Sequence, residues 1–127
     1  MLDTDTCSYF IKDQPEIVAK LRQERGNFCI SSIVYCELME GLLASKGTKF
    51  ENSYSQFLRL VEVMPFTKSD AIAAADIEVS LTKSGMRIND YDALIAGHAA
   101  NCGLTLVTNN SKHFSRISGL SVENWAS

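Results

Sequence analysis

The sequence predicts an α/β fold with a mainly parallel central sheet flanked by helices. Two observations carry this reading. Short apolar runs such as Phe28-Cys29-Ile30 and Leu104 to Val107 lack the in-out alternation of a sheet wetted on one face. They also alternate with longer stretches of helical periodicity, the pattern of strand-helix units. At 127 residues, 46% apolar and 21% charged, the chain reads as one domain over 1–127 with a single real core. Repeats, low-complexity tracts and linkers are absent from it.

Met1-Leu2-Asp3 reads as the end of a very short strand. Asp5 or Thr6 then caps a helix to about Lys12, because Asp and Thr accept from the free N–H groups of a first turn. Pro15 followed by Glu16 opens a second helix to about Glu24, ended by Gly26 and Asn27. Residues 28–30 form a buried strand, and Ser31 or Ser32 caps a helix to about Ala44. A helix over 49–60 follows, with Tyr54, Phe57, Leu58 and Val61 at helical spacing. Residues 61–66, cut by Pro65, read as a strand. Residues 67–83 are alanine-rich and helical and stop at Gly85. Asn89 or Asp90 caps a helix to about Cys102, with Gly103 just past its end. A strand over 104–107, a short helical stretch after Asn109-Asn110-Ser111 and an edge strand over 120–122 complete the chain.

No apolar run approaches the roughly 20 residues that cross a bilayer. The N-terminus has neither the basic nor the apolar region of a signal peptide, so the expected location is cytoplasmic. Cys7, Cys29, Cys36 and Cys102 show no zinc-ligand spacing and sit in apolar surroundings, which predicts reduced core thiols. The net charge of −3 is not the basic footprint of a nucleic-acid binder, although an acidic site itself contributes to that sum.

Parallel sheets place ligands at the carboxyl ends of their strands. Asp3 follows the first strand directly, and Thr108, Asn109 and Asn110 follow the strand over 104–107, so both sets belong to one rim. Carboxylates are rarely buried without a positive partner. If the fold gathers Asp3, Glu37 and Asp92, a divalent cation is the simplest such partner. On a helical wheel Glu37 falls among Ile33, Val34, Leu38 and Gly41, and an exposed flank is the alternative. Asp92 shares a face with Ala96 and Ala99, and its alternative role is to favour the positive end of its helix. Asp90 lies about 200° from Asp92 on that helix; a capping role suffices for it, as for Asp5. Glu40 reads as a solvated charge. The small residues Ala93, Ala96, Gly97 and Ala100 predict close packing against the sheet, since a mid-helix glycine costs ~1 kcal/mol relative to alanine. His98 reads as a packed core histidine and His113 as a surface residue able to meet a phosphate when protonated.

Five blocks in order now resemble one family. They are Met1-Leu2-Asp3-Thr4, then Ile30-Ser31-Ser32 with Glu37 following, then the segment from Asp92 through Ala-Leu-Ile-Ala-Gly-His to Ala99. Leu106 to Asn110 with Phe114 and the closing stretch from Gly119 to Trp125 complete the set. Together they resemble the PIN-domain ribonuclease toxins of VapBC toxin–antitoxin modules, over nearly the whole chain. The resemblance implies a PIN-like three-layer fold and an acidic pocket for Mg²⁺ or Mn²⁺, with Asp3, Glu37 and Asp92 at the family's acidic positions. Thr108 matches a hydroxyl position beside the acids, and Thr4 a supporting one. Asn110 stands where many members carry a fourth acid, which removes one negative charge and puts a second tightly held metal in question. The implied activity is metal-dependent cleavage of structured RNA, tRNA foremost, by in-line attack of a metal-activated water. The implied partners are a VapB-like antitoxin and a second copy of the chain, with the apolar helix from Ile33 to Leu43 as a contributor to a homodimer. Lys12, Lys46, Lys49, Arg87, Lys112 and Arg116 are candidate phosphate contacts, each better explained as a solvated surface charge.

Two rival readings stand beside this one. Asp3-Thr-Asp5-Thr resembles the start of a haloacid-dehalogenase-like phosphatase, with Asp90 and Asp92 as later acids. Only Met1 and Leu2 precede the first acid, however, and Glu37 would have no role. The other rival is a catalytically inactive PIN-like binding module.

Overall fold

The computed structural model describes residues 1–13 and 27–125. The helix expected over 15–24 lies outside the described residues. The elements in chain order are α1 (Thr4–Asp13), β1 (Ile30–Ser31), α2 (Ser32–Ala44), α3 (Glu51–Leu60) and β2 (Val63–Met64). They continue with α4 (Lys68–Lys83), α5 (Asp90–Asn101), β3 (Leu106–Val107), α6 (Ser111–Phe114) and β4 (Val122–Glu123).

All described strand pairings are parallel. β1 pairs with β2, Ile30 opposite Val63, and β3 pairs with β4, Leu106 opposite Val122. Leu2 bridges Val107 in the same sense. The Leu2 N–H donates to the Cys29 carbonyl at 2.9 Å, the Val107 N–H to Met1 at 2.8 Å and the Asp3 N–H to Val107 at 3.0 Å. Residues 1–3 therefore lie between the two ladders and join them, in the order β2, β1, Leu2, β3, β4. The strands expected over 61–66 and 104–107 shrink to two residues each, and the edge strand moves to Val122–Glu123. Pro65 has no N–H to give a ladder, which accounts for the end of β2 at Met64.

Leu2, Phe10, Ile11, Ile30, Val34, Leu38, Phe57, Ile95, Leu106 and Phe114 are buried between the sheet and the helices. Each such side chain contributes roughly 1.5–3 kcal/mol relative to exposure.

The caps differ in part from the sequence expectation. α1 begins at Thr4 because Asp3 caps it, with Oδ1 accepting from the Thr6 N–H at 2.9 Å. Neither Asp5 nor Thr6 is the cap. Ser31 caps α2 through a bond from the Ile33 N–H at 3.1 Å. Asn89 caps α5 by accepting from the Asp92 N–H at 2.8 Å, so Asp90 is the first helical residue and not its cap. Gly103 has φ +67°, the left-handed conformation that ends a helix without a Cβ penalty. Cys7 and Cys29 are buried as expected, but Cys36 and Cys102 are exposed. Cys36 lies on a solvent-facing side of α2, and Cys102 lies at the C-cap of α5, where the helix runs out to the surface.

α4 and α5 pack against each other at an unusually close point. A Cβ on Gly97 would stand 2.4 Å from the Ala74 Cα and 2.5 Å from its N, so only glycine fits there. Beside this contact, His98 is fully buried. Its Nδ1 lies 2.9 Å from the Ser31 Oγ, its Nε2 lies 3.4 Å from the Asp70 Oδ2, and its ring meets Phe66 edge to face. Asp70 forms a capping box with Thr67 at the start of α4 and also accepts from the Asn101 amide at 2.8 Å.

Burial pushes the His98 imidazole below its ordinary value more than the Asp70 charge raises it. For Asp70 burial pushes upward, but the hydrogen bonds from Asn101 and Thr67, together with the His98 charge, outweigh it and the carboxyl is lowered.

Two predictions concern this contact. Gly97→Ala is expected to lose about 3 kcal/mol by overpacking, seen as a fall of about 10 °C in Tm. In metal-free protein, the His98 and Asp70 contributions to stability should also be lost on acidification in two steps, the raised Asp3 and Asp92 acting in the opposite sense. Below the ordinary histidine value of 6.5 the unfolded chain takes up a proton that folded His98 refuses. Below the ordinary carboxyl value of 3.8 the unfolded chain protonates Asp70 while the folded protein still resists. Urea midpoints across this range check it, and His98→Gln should remove the first step only.

Candidate functional site

The carboxyl rim of the sheet opens into a cleft of about 380 Å³. Asp3, Glu37 and Asp92 all line it, together with Thr4, Asp5, Asn89 and Asp90. Three separate elements bring the acids there. Asp3 leaves the central seam of the sheet, Glu37 projects from the second turn of α2, and Asp92 comes from the first turn of α5. Glu37 thus lies on the cleft side of its helix, while Glu40 is exposed to solvent.

Each acid has its own support. Asp3 is 3% exposed and is held by the Thr6 N–H. Burial raises its carboxyl above the ordinary value; the Thr108 side chain and Thr6 oppose the rise, and the Asp5 charge adds to it. The Thr4 hydroxyl donates to the Glu37 Oε1 at 2.5 Å. The Asn89 amide donates to the Asp92 Oδ2 at 2.9 Å. Burial raises the Asp92 carboxyl, the negative charges of Asp3 and Asp5 raise it further, and the His113 charge and Asn89 oppose this. Mutual repulsion between Asp3 and Asp92 is the electrostatic sign of acids gathered without a cation. Among the described residues the three acids do not all bring a ligand oxygen within 4.8 Å of one another.

The remaining sequence candidates separate clearly. Thr108 is fully buried, hydrogen-bonds Asp3 and accepts from the Asn110 N–H at 3.0 Å. Asn110 is exposed at the N-cap position of α6, makes no side-chain cap bond and is not among the residues lining the cleft. His113 is exposed on α6, near enough for its charge to act on Asp92.

Sequence reasoning missed Asp70. Its signal was present as Thr67-x-x-Asp70, the spacing of a capping box. Ser31, His98 and Asp70 stand in the order of a nucleophilic triad, but Ser31 is fully buried and its Oγ is occupied as the α2 cap. A substrate has no access to it.

Comparison with known proteins places the chain in a family. The PIN domain family model matches residues 1–120. The chain is 38% identical to the tRNA(fMet)-specific endonuclease VapC of Salmonella typhimurium, over 98% of this chain and 96% of the relative. It is 36% identical to ribonuclease VapC2 of Haemophilus influenzae, again over 98% of this chain and 96% of the relative. Among solved structures, VapBC2 from Rickettsia felis bound to a promoter DNA fragment superposes with a TM-score of 0.81 at 37% identity. That match covers 98% of this chain and 97% of the other. The phosphatase reading finds no support in these matches. On its sequence, its fold and the acids on its rim, this chain belongs to the PIN-domain family, within the VapC group of ribonucleases.

Proposed function

We propose that the chain is the toxin of a toxin–antitoxin pair, a metal-dependent endoribonuclease that cleaves structured RNA, with tRNA as the substrate class. The observation that carries this is the single cleft shared by Asp3, Glu37 and Asp92, in which burial and like charge raise Asp3 and Asp92. An all-oxygen donor set with excess negative charge suits Mg²⁺ or Mn²⁺, and the cleft suits an ion that keeps several of its waters. Asp3 and Asp92 would hold the ion, with Glu37 as a third donor. When bound, such a cation supplies charge stabilisation at the phosphate and an acidic water as nucleophile.

The chain's own residues do the rest. Thr108 and the Thr6 N–H fix the Asp3 carboxylate, the Thr4 hydroxyl fixes Glu37, and the Asn89 amide fixes Asp92, so little reorganisation is needed at the reacting phosphate. Asn110 acts at the rim, as a donor to substrate phosphate and not as a fourth acid. His113 on α6, whose charge acts on Asp92, would meet an RNA backbone there. Lys46 is engaged with Glu51 at 3.8 Å, and Lys49 lies over the Phe50 ring.

A tRNA target is supported by the tRNA(fMet)-specific relative, and recognition of an exposed loop is the usual way proteins read RNA sequence. The VapBC complexes among the structural relatives support a small antitoxin as the partner. Exposed Ile72 and Val79 on α4 and Leu43 on α2 supply apolar surface for a homodimer. The site of action is the cytoplasm, where tRNA is found and where the free thiols stay reduced.

The test is cleavage of a total tRNA pool by purified protein with Mn²⁺ or Mg²⁺, with mapping of the new RNA ends. Asp3→Asn, Glu37→Gln and Asp92→Asn should each lower the rate by at least about 100-fold. Without metal, Asp3→Asn and Asp92→Asn should melt no lower than wild type, because the amides keep the supporting bonds and remove repulsion. Wild-type cleavage by any of the three variants would remove that residue from the mechanism. A wild-type protein that binds Mn²⁺ yet cleaves no RNA would favour the inactive binding module. EDTA should stop cleavage and added Mn²⁺ restore it.

A further inference from the structure

A second group of ligand-bearing side chains lies at the other end of α5, roughly 15 Å along the helix from Asp92. We propose that Asp70, His98 and Cys102 form a cation site for a borderline-soft divalent ion of the Zn²⁺ class, separate from the acid cleft and independent of the ribonuclease reading. Among the described residues they are the one set of three whose ligand atoms all lie within 4.8 Å of one another. The His98 Nε2 stands 3.4 Å from the Asp70 Oδ2, and the Cys102 Sγ stands 3.9 Å from the Asp70 Oδ1. Tetrahedral zinc, with bonds of about 2.0 Å to N and O and about 2.3 Å to S, separates its donors by roughly 3.3–3.6 Å. Small side-chain movements close the difference.

The second observation is the state of His98. Its Nε2 is buried without a hydrogen-bond partner and points into this group. A buried polar atom left in this way is costly. Its Nδ1, 2.9 Å from the Ser31 Oγ, can place its proton on that oxygen, which leaves the Nε2 lone pair for a metal. An oriented imidazole with its second nitrogen anchored is the usual outer support of a metal-ligating histidine. His98 and Cys102 are four residues apart and so share one face at the end of α5. Asp70 accepts three hydrogen bonds from Thr67 and Asn101, leaving capacity on a carboxylate with about four acceptor sites. Exposed Cys102 provides the entry path, and a water fills the fourth position.

On binding, the Cys102 thiol loses its proton to solvent and the thiolate takes the metal. The mixed S, N and O set favours Zn²⁺ over Mg²⁺, the reverse of the acid cleft. An ion here would pin the start of α4 to the end of α5.

Metal-free protein titrated with Co²⁺ tests the proposal. Wild type should gain visible bands of tetrahedral strength and a near-ultraviolet thiolate charge-transfer band, both removed by Zn²⁺ and untouched by excess Mg²⁺. Cys102→Ser should lose the charge-transfer band, whereas Cys36→Ser and Asp92→Asn should keep it. Zn²⁺ at about a hundredfold its Kd should raise the wild-type Tm by roughly 10 °C, and that of Cys102→Ser far less. Absence of the band, its survival in Cys102→Ser, its loss in Cys36→Ser or Asp92→Asn, or an equal Tm rise in wild type and Cys102→Ser would each overturn the site.

Discussion

The site depends on a main-chain seam one residue wide. Leu2 gives its N–H to Cys29, while its neighbours Met1 and Asp3 exchange bonds with Val107. Through them the β1-β2 and β3-β4 ladders become one sheet. The same seam delivers Asp3 to the carboxyl rim with its backbone fixed, and the side chain then caps α1 through Thr6. One carboxylate thus serves the fold and the cleft together. An uncapped α1 would lose about 1 kcal/mol, so the position of this acid is tied to folding in a way that Asp5, exposed in the first turn, is not.

The protein treats its two groups of acids in opposite ways. In the cleft, burial and like charge raise Asp3 and Asp92, and the chain supplies too few donors to offset this. At the α4–α5 contact Asp70 is as buried as Asp3, but Asn101, Thr67 and His98 more than compensate. The first arrangement holds uncompensated charge where a hard cation would neutralise it. The second compensates its carboxylate with its own donors and leaves the buried His98 Nε2 without a hydrogen-bond partner. The contrast separates a cleft with unmet negative charge from a compensated carboxylate beside an unused imidazole nitrogen.

Much of this was legible in the sequence, and the gaps have physical causes. The helices over 32–44, 68–83 and 90–101 were readable because caps and glycines mark their ends: Ser31, Thr67, Asn89 and Gly103 behave as their side chains dictate. Gly97 was readable as a close contact, but the expected partner was the sheet, whereas the structure sets it against Ala74 of α4. Two-residue strands carry no periodicity, so their bounds were overdrawn. The face of Glu37 was open because α2 is apolar on nearly every side; the Thr4 hydroxyl, 33 residues away in sequence, decides it. Asp70 was overlooked although Thr67-x-x-Asp70 has capping-box spacing, and its bonds to Asn101 and His98 arise only when α4 meets α5. Exposed Cys36 and Cys102 show the same limit, since apolar neighbours in sequence need not be neighbours in space.

The supports of the three acids also bear on what the cleft can hold. Asp3 is fixed by main chain and cap, Glu37 by a hydroxyl from α1, and Asp92 by the amide of its own helix cap. These bonds engage Oε1 of Glu37 and Oδ2 of Asp92, which leaves the second oxygen of each available. A carboxylate held by one oxygen can offer the other without losing its orientation, and that is the requirement for a preorganised ligand. Asp92 has the further benefit of the positive end of α5, whereas Glu37, in the second turn of α2, depends more on its hydroxyl donor. Glu37 and Asp92 are each held by a single side-chain donor, Thr4 and Asn89, whereas Asp3 also has the Thr6 main-chain N–H. Removal of Thr4 or Asn89 would therefore free its acid more completely than loss of any one support would free Asp3.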